Sequence, residues 1–389
     1  MTSATPPLPR RSPRARHVDL LSKGRGRERV QQILNGISAF GALLVVAELR
    51  IADHLADGPR KVTELARLCE ADAGYLRQIL RVASSLGLLR TTNQPDTYTL
   101  TAEGRSLRSD LDDSMLPATL MAATPFWMQA MCALPETVRR AEPALPQPTY
   151  EYLADNPDAR ALFDWFMHTR TAPVAQAIAR LDFQQARKVV DVGGGHGVIL
   201  AKILQTHPHL TGILLERPDV AESAAIYMAK LGLQDRCEVI AGDFLDSVPA
   251  GGDLYLMASV LHNWDDENAG RVLRNVRQAM DAERAGPAQA WCVDLLRPVV
   301  SVQVGAPPTA VLTTVRMLSL FRGGHERTRA EYETLLAANG LTVTQAERLP
   351  GDMHLMIAAV PPAEDASEMP QHRPAAAQST GRPFPGGAS

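Results

Sequence analysis

The chain has only four cysteines in 389 residues, Cys69, Cys132, Cys237 and Cys292, standing singly with no C-x-x-C pair. That spacing argues against a disulfide framework and reads as the core usage of a reduced, intracellular protein. No uninterrupted run of about 18 apolar residues occurs, so no membrane span is expected. The N-terminus lacks an apolar segment followed by a cleavage site, so secretion is not expected and a cytoplasmic location is. No histidine and carboxylate cluster has metal spacing, so no metal is expected. Excess charge is lacking too: the formal net charge is −3, but the first thirty residues hold eight Lys or Arg against Asp19 and Glu28, leaving −9 on the remainder. An acidic body argues against bulk nucleic-acid binding. The basic run Arg10 to Arg16 directly follows Pro6, Pro7 and Pro9 and reads as a disordered leader over 1–29. A second disordered segment is expected at 362–389, since the chain from Pro361 on holds six prolines and three glycines. What remains is ordinary for a soluble globular protein, with 45% hydrophobic and 21% charged residues and length for two domains.

From Lys188 on, apolar strand-like and helix-like segments alternate, which calls for a parallel sheet with helices on both faces. The first strand ends in Val190-Asp191-Val192 and runs into Gly193-Gly194-Gly195-His196-Gly197. Glycines at such a turn let the backbone take positive φ and approach a ligand, and the next helix offers its N–H groups. A flexible loop is the plain alternative for a glycine cluster. A dinucleotide fingerprint would need its third glycine where Val198 stands. The pattern is D-x-G-x-G-x-G, which resembles the first motif of Rossmann-like methyltransferases that use S-adenosylmethionine. The next strand ends in Glu216, whose carboxylate can accept from two ribose hydroxyls side by side. A third ends in Gly242-Asp243-Phe244, where an acid can accept from an adenine amine while the ring covers its face. Asp191, Gly193, Gly195, Glu216, Asp243 and Phe244 are therefore the expected cofactor residues.

The fourth strand gives way to Leu261-His262-Asn263-Trp264-Asp265-Asp266. An imidazole at the mouth of the sheet can take a proton from a phenol near neutral pH, which makes His262 the candidate general base. Asp265 and Asp266 read as caps of the following helix. Thr328-Arg329-Ala330-Glu331 reads as a capping box, and Gly340 as the end of its helix.

Residues 30–112 form a unit of their own. A long apolar helix is followed by two shorter ones, Thr63 to Cys69 and Ala73 to Leu86, and by a hairpin from Thr91 to Leu100, a winged-helix pattern. DNA binding is one reading of such a domain. Its second helix carries only Arg77 and Arg81, a thin electrostatic footprint. The long first helix is apolar on more than one face, and beside a methyltransferase domain this points to dimerisation. Residues 113–182 are helical and rich in methionine and aromatic side chains, as a core or as the wall for a flat aromatic acceptor. Trp127, Met131, Phe163 and Met167 are the candidate acceptor contacts, with Met317 on a later helix.

Together these segments resemble the plant caffeate-like O-methyltransferases and their bacterial polyketide-tailoring relatives. The resemblance covers roughly 30–360 and rests on Asp191 to Gly197, Gly242 to Phe244, Leu261 to Asp266 and Gly323 to Thr328. It implies a homodimer with a methyltransferase domain over 183–361 and an aromatic small-molecule acceptor. It also implies two acids flanking the His262 base, Glu326 and Asp294, the latter one methylene shorter than the usual glutamate. Ala258 and His325 replace lysines common in plant members, which separates this chain from plant substrates. Two other functions compete: a relative that binds the same cofactor for hydroxylation or decarboxylation, and a winged-helix regulator.

Overall fold

The computed structural model describes residues 25–183, 185–282, 289–295 and 309–361. Its first helix, Arg25–Glu48, begins inside the stretch expected to be a leader. Straight-chain polar residues favour helix there, and Arg29 donates to Gln32 at 3.2 Å and Gln31 to Asn35 at 3.0 Å. The C-terminal half of this helix buries Ala42, Val46 and Ala47. Its N-terminal half leaves Val30, Ile33, Leu34 and Ile37 exposed, at the i, i+3, i+4, i+7 spacing of one face. Residues Gly26–Glu48 are long and apolar enough, by length and composition, to cross a membrane. The expectation of no such segment missed this because polar residues interrupt the apolar run.

Helices Val62–Leu68 and Ala73–Ser85 follow, the second capped by Asp72, whose side chain accepts from the Tyr75 N–H. Leu76, Leu80 and Ala83 put one stripe of the second helix into the small core with Leu65 and Ala66. Strands β1 (Arg60–Lys61), β2 (Leu89–Thr91) and β3 (Thr97–Leu100) form the antiparallel wing, with β3 in the middle. The winged-helix pattern is thus present over 60–100. Six helices follow, the single turn Ala102–Arg105, then Leu116–Ala122, Pro125–Cys132, Leu134–Arg140, Thr149–Asp155 and the long Pro157–Ile178.

The large sheet comprises β4 (Lys188–Val192), β5 (Thr211–Glu216), β6 (Cys237–Ala241), β7 (Leu254–Ala258), β8 (Gln289–Leu295), β9 (Thr342–Arg348) and β10 (Met353–Ala359). Its order is β6-β5-β4-β7-β8-β10-β9, parallel through β8, with β10 antiparallel to both its neighbours. Alternate side chains enter opposite cores: Val189, Leu254 and Leu256 pack on one face, and Val190, Tyr255 and Met257 on the other. Each such apolar side chain, fully buried, contributes about 1.5–3 kcal/mol. From β4 the chain steps outward to β5 and β6, then returns to β7 on the other side. That reversal opens a crevice at the carboxyl ends of β4, β5 and β7.

Candidate active site

Gly193, Gly195 and Gly197 take φ of 70°, 59° and 78°, values an L side chain rarely adopts. This turn folds back over Asp191, and a Cβ on Gly194 would collide with the Asp191 carboxyl. Asp191 is 1% exposed, and among the described residues neither of its oxygens has a hydrogen-bond partner. Burial, and secondarily the Glu216 carboxylate, pushes its pKa up to about 7. Glu216 is buried but served: Oε2 accepts from the Gly195 N–H and Oε1 from the Arg217 N–H, both at 2.9 Å. Burial raises its pKa while those two donors oppose the shift. Each oxygen keeps a lone pair for a further donor. Phe244 lies against Gly193 and meets Trp264 edge to face, with ring centroids 6.0 Å apart. Asp243 is exposed and accepts from the Leu245 N–H at 2.8 Å.

Asp191, Gly193, Gly195, Glu216, Asp243 and Phe244 all line one cavity of about 470 Å³. Its other walls include Phe163, Met167, Ser259, Asn263 and Trp264. An unpartnered buried carboxyl beside a second one with spare acceptor capacity suits a ligand bringing a cationic amine and a ribose. The residues on that side therefore fit a nucleoside carrying positive charge.

Beyond β7 the chain turns through Ser259, at φ 56°, into the short helix Leu261–Asn263. His262 is 3% exposed, and its Nδ1 lies 3.1 Å from Oε1 of the buried Glu326. A buried guanidinium holds this turn. Arg327 donates to the carbonyls of Leu261 and Trp264, each at 2.9 Å, and to Asp266 Oδ1 at 2.9 and 2.7 Å. The His325 N–H adds a bond to the His262 carbonyl at 2.9 Å. Asp265 caps the helix Asp266–Asp281, and Thr328 and Glu331 form a capping box. Asp294 lies in β8, its backbone opposite His354 of β10, and its side chain is outside the described residues.

The acceptor candidates separate. Phe163 and Met167 line the cavity, whereas Trp127, Met131 and Met317 are not in its wall. Trp127 is 6% exposed and packs with Phe126, Leu320 and Phe163 in a helical cluster, so the aromatic richness of 113–182 serves mainly that core. Met317 is likewise buried, at 5% exposure.

Sequence reasoning missed several wall residues. The helix Pro157–Ile178 brings Arg160 and Asp164 over the glycine turn, where Arg160 bridges to Asp219 at 3.3 Å and Asp164 lies 3.4 Å from His196. Ser223 Oγ stands 3.1 Å from the same His196 nitrogen. The i,i+4 pair Arg160 and Asp164 was visible, but not its partners across the fold. Tyr150 also lines the cavity, with the Arg217 guanidinium 5.6 Å from its ring centre.

Two family descriptions match the chain: an O-methyltransferase domain over residues 137–342 and an O-methyltransferase dimerisation domain over 31–110. The phenazine O-methyltransferase PhzM of Lysobacter antibioticus is 34% identical over 317 residues, which is 80% of this chain and 90% of that protein. The O-methyltransferase SfmM3 of Streptomyces lavendulae is 36% identical over 322 residues, 81% of this chain and 95% of that one. Among solved structures, the O-methyltransferase NcsB1 from neocarzinostatin biosynthesis, in complex with S-adenosylmethionine and 2-hydroxy-5-methyl naphthoic acid, superposes with a TM-score of 0.67. It is 30% identical, with 83% of this chain and 96% of that chain covered.

Proposed function

This chain belongs to the S-adenosylmethionine-dependent O-methyltransferases that carry an N-terminal dimerisation domain, and from that we propose that it methylates a hydroxyl of an aromatic or polyketide-like small molecule. The observation that carries the reading is the single cavity in which Asp191 and Glu216 stand on one wall and Phe163 and Met167 on another. The hydroxylated naphthoic acid bound to NcsB1 supports the acceptor class.

Asp191, Glu216, Asp243 and Phe244 are the residues assigned to the cofactor, with Gly193 and Gly195 letting the backbone come close. Bound S-adenosylmethionine supplies an electrophilic sulfonium methyl, whose transfer to a phenolate removes one charge of each sign and so gains from a water-poor site. His262 is assigned the proton transfer. A carboxylate can only accept, so Glu326 keeps the imidazole proton on Nδ1 and the lone pair on Nε2, where it can take the proton of an acceptor hydroxyl. Glu326 then steadies the imidazolium, as an orienting carboxylate does in other His-assisted enzymes. Arg327 acts through the turn, fixing Leu261 and Trp264 on either side of the base. The exposed stripe Val30, Ile33, Leu34 and Ile37 is assigned to a second copy of the chain.

The test is incubation with methyl-labelled cofactor and a panel of phenols comprising 1-hydroxyphenazine, 2-hydroxy-1-naphthoate, caffeate and 4-nitrocatechol. Label in a product one methyl heavier is expected, and cofactor left unconsumed during turnover would overturn the reading. His262→Gln is expected to lower kcat by about 100-fold or more, the scale of general-base catalysis, with cofactor Kd little changed. Near-normal turnover in that variant would remove the base from the mechanism while leaving methyl transfer intact.

A further inference from the structure

Tyr150 stands where the cofactor wall meets the turn that carries His262. It belongs to the helix Thr149–Asp155 and lines the cavity, with the Arg217 guanidinium over its ring and the ring of Phe321 tilted against it at 5.5 Å. The proton on its hydroxyl can be assigned. Asn263 Nδ2 lies 3.2 Å from the Tyr150 oxygen and 3.2 Å from the carbonyl oxygen of Ser259. A carbonyl only accepts, so the amide atom facing both must be the nitrogen. The Tyr150 oxygen is then an acceptor from Asn263. No bond donated by the Tyr150 O–H occurs among the described residues, and the group borders the cavity. Burial, and next the Glu216 carboxylate, raises its pKa further, so the phenol holds its proton across the working range of an imidazole base.

We propose that Tyr150, oriented by Asn263, donates its hydroxyl hydrogen bond to the acceptor oxygen that receives the methyl group. The inference rests on the methyl-transfer reading above and adds a second group at the reacting oxygen. His262 removes the acceptor proton, and Tyr150 keeps its own and engages one lone pair of the resulting phenolate. A second lone pair is left for the methyl. Donation to a phenolate also eases its formation, because a charge-assisted hydrogen bond is the stronger kind. The pairing separates two tasks by chemistry: the imidazole moves the proton, and a phenol that keeps its own proton holds the anion.

The test compares Tyr150→Phe and Asn263→Ala with the wild type, using whichever member of the phenol panel gains mass. Tyr150→Phe leaves shape and stacking in place, and an unchanged melting temperature checks the fold. A loss of about 10- to 100-fold in kcat is expected, the scale of one charge-assisted hydrogen bond made in the transition state. S-adenosylhomocysteine Kd should stay within about 2-fold. In a second readout, the same phenol is titrated in the S-adenosylhomocysteine complex by its phenolate absorbance. Its apparent pKa should rise in Tyr150→Phe and, by less, in Asn263→Ala. A Tyr150→Phe enzyme with unchanged kcat and phenol titration would overturn the proposal while methyl transfer stands. A variant that loses cofactor affinity instead would place Tyr150 on the cofactor and overturn it too. A wild type that methylates no phenol would overturn the functional reading and this inference with it.

Discussion

Asp191→Asn tests the buried carboxyl in the cavity wall assigned above to the cofactor. The acid stands near pKa 7 in the folded chain against an ordinary 3.8, through burial and the neighbouring Glu216. A proton is therefore held more tightly in the folded state than in the unfolded one by up to about 4 kcal/mol. The folded pKa is raised, so between pH 4 and 7 the native state binds more protons than the unfolded chain. Stability without cofactor then falls as pH rises through that window, and the full cost is present above pH 7. The asparagine keeps the shape and cannot ionise. Thermal melts of both proteins without cofactor, from pH 4 to 8.5, should show the variant gaining on the wild type with rising pH. At about 2 °C per kcal/mol for a chain of this size, the gain reaches up to about 8 °C above pH 7. Adding S-adenosylmethionine should reverse the order, because the wild-type carboxylate then meets a cation and the amide does not. Melting curves for the two proteins that track each other across the whole range would refute the account of Asp191 as an unpartnered, charge-poised group.

Three further perturbations follow from the same geometry. Gly197→Ala places a Cβ at φ 78° against the Met228 methyl and Leu214, and should cost about 2 kcal/mol or more in urea unfolding through backbone strain and collision; an unchanged midpoint would show that the turn can relax. Arg327→Lys replaces a fork serving two carbonyls and a carboxylate by one ammonium, and kcat should fall by about 10-fold or more with cofactor Kd nearly constant; equal losses in both would mean general loosening of the domain. Ile33→Glu with Ile37→Glu puts two charges on the exposed stripe of the first helix, and sedimentation should shift from dimer to monomer; a dimer that persists would move the interface elsewhere.

Much of the site was legible because its signals are local. The glycine turn, the acid ending β5 and the Asp-Phe pair after β6 each lie within a few residues of a strand end. An α/β sheet delivers strand ends to one crevice. Period-two alternation then sorts their side chains between two faces, so placing one strand end places its neighbours. The capping residues Asp265 and Thr328 were legible for the same reason, since a cap bonds within its own first turn. The wall built by helices was not. Trp127, Met131 and Met317 have the composition of an acceptor lining, but composition does not tell which face of a helix meets a cavity and which meets another helix.

The residues that escaped notice share one property: their partners are far away in sequence. Tyr150 meets Asn263 across 113 residues, Arg160 meets Asp219 across 59, and Arg327 meets Asp266 across 61. Nothing in the identity of a tyrosine or an arginine announces such a partner, whereas a glycine at positive φ announces its own backbone. The division follows the chemistry. Binding a nucleoside needs backbone approach and strand-end carboxylates, which local sequence specifies. Holding an acceptor oxygen against a base needs side chains from separate segments brought within about 3 Å, and only the packed fold decides which ones meet. Variation in the acceptor among relatives should therefore lie in the helices around Tyr150, Phe163 and Met167. The turn from Asp191 to Gly197 can stay constant while that wall changes.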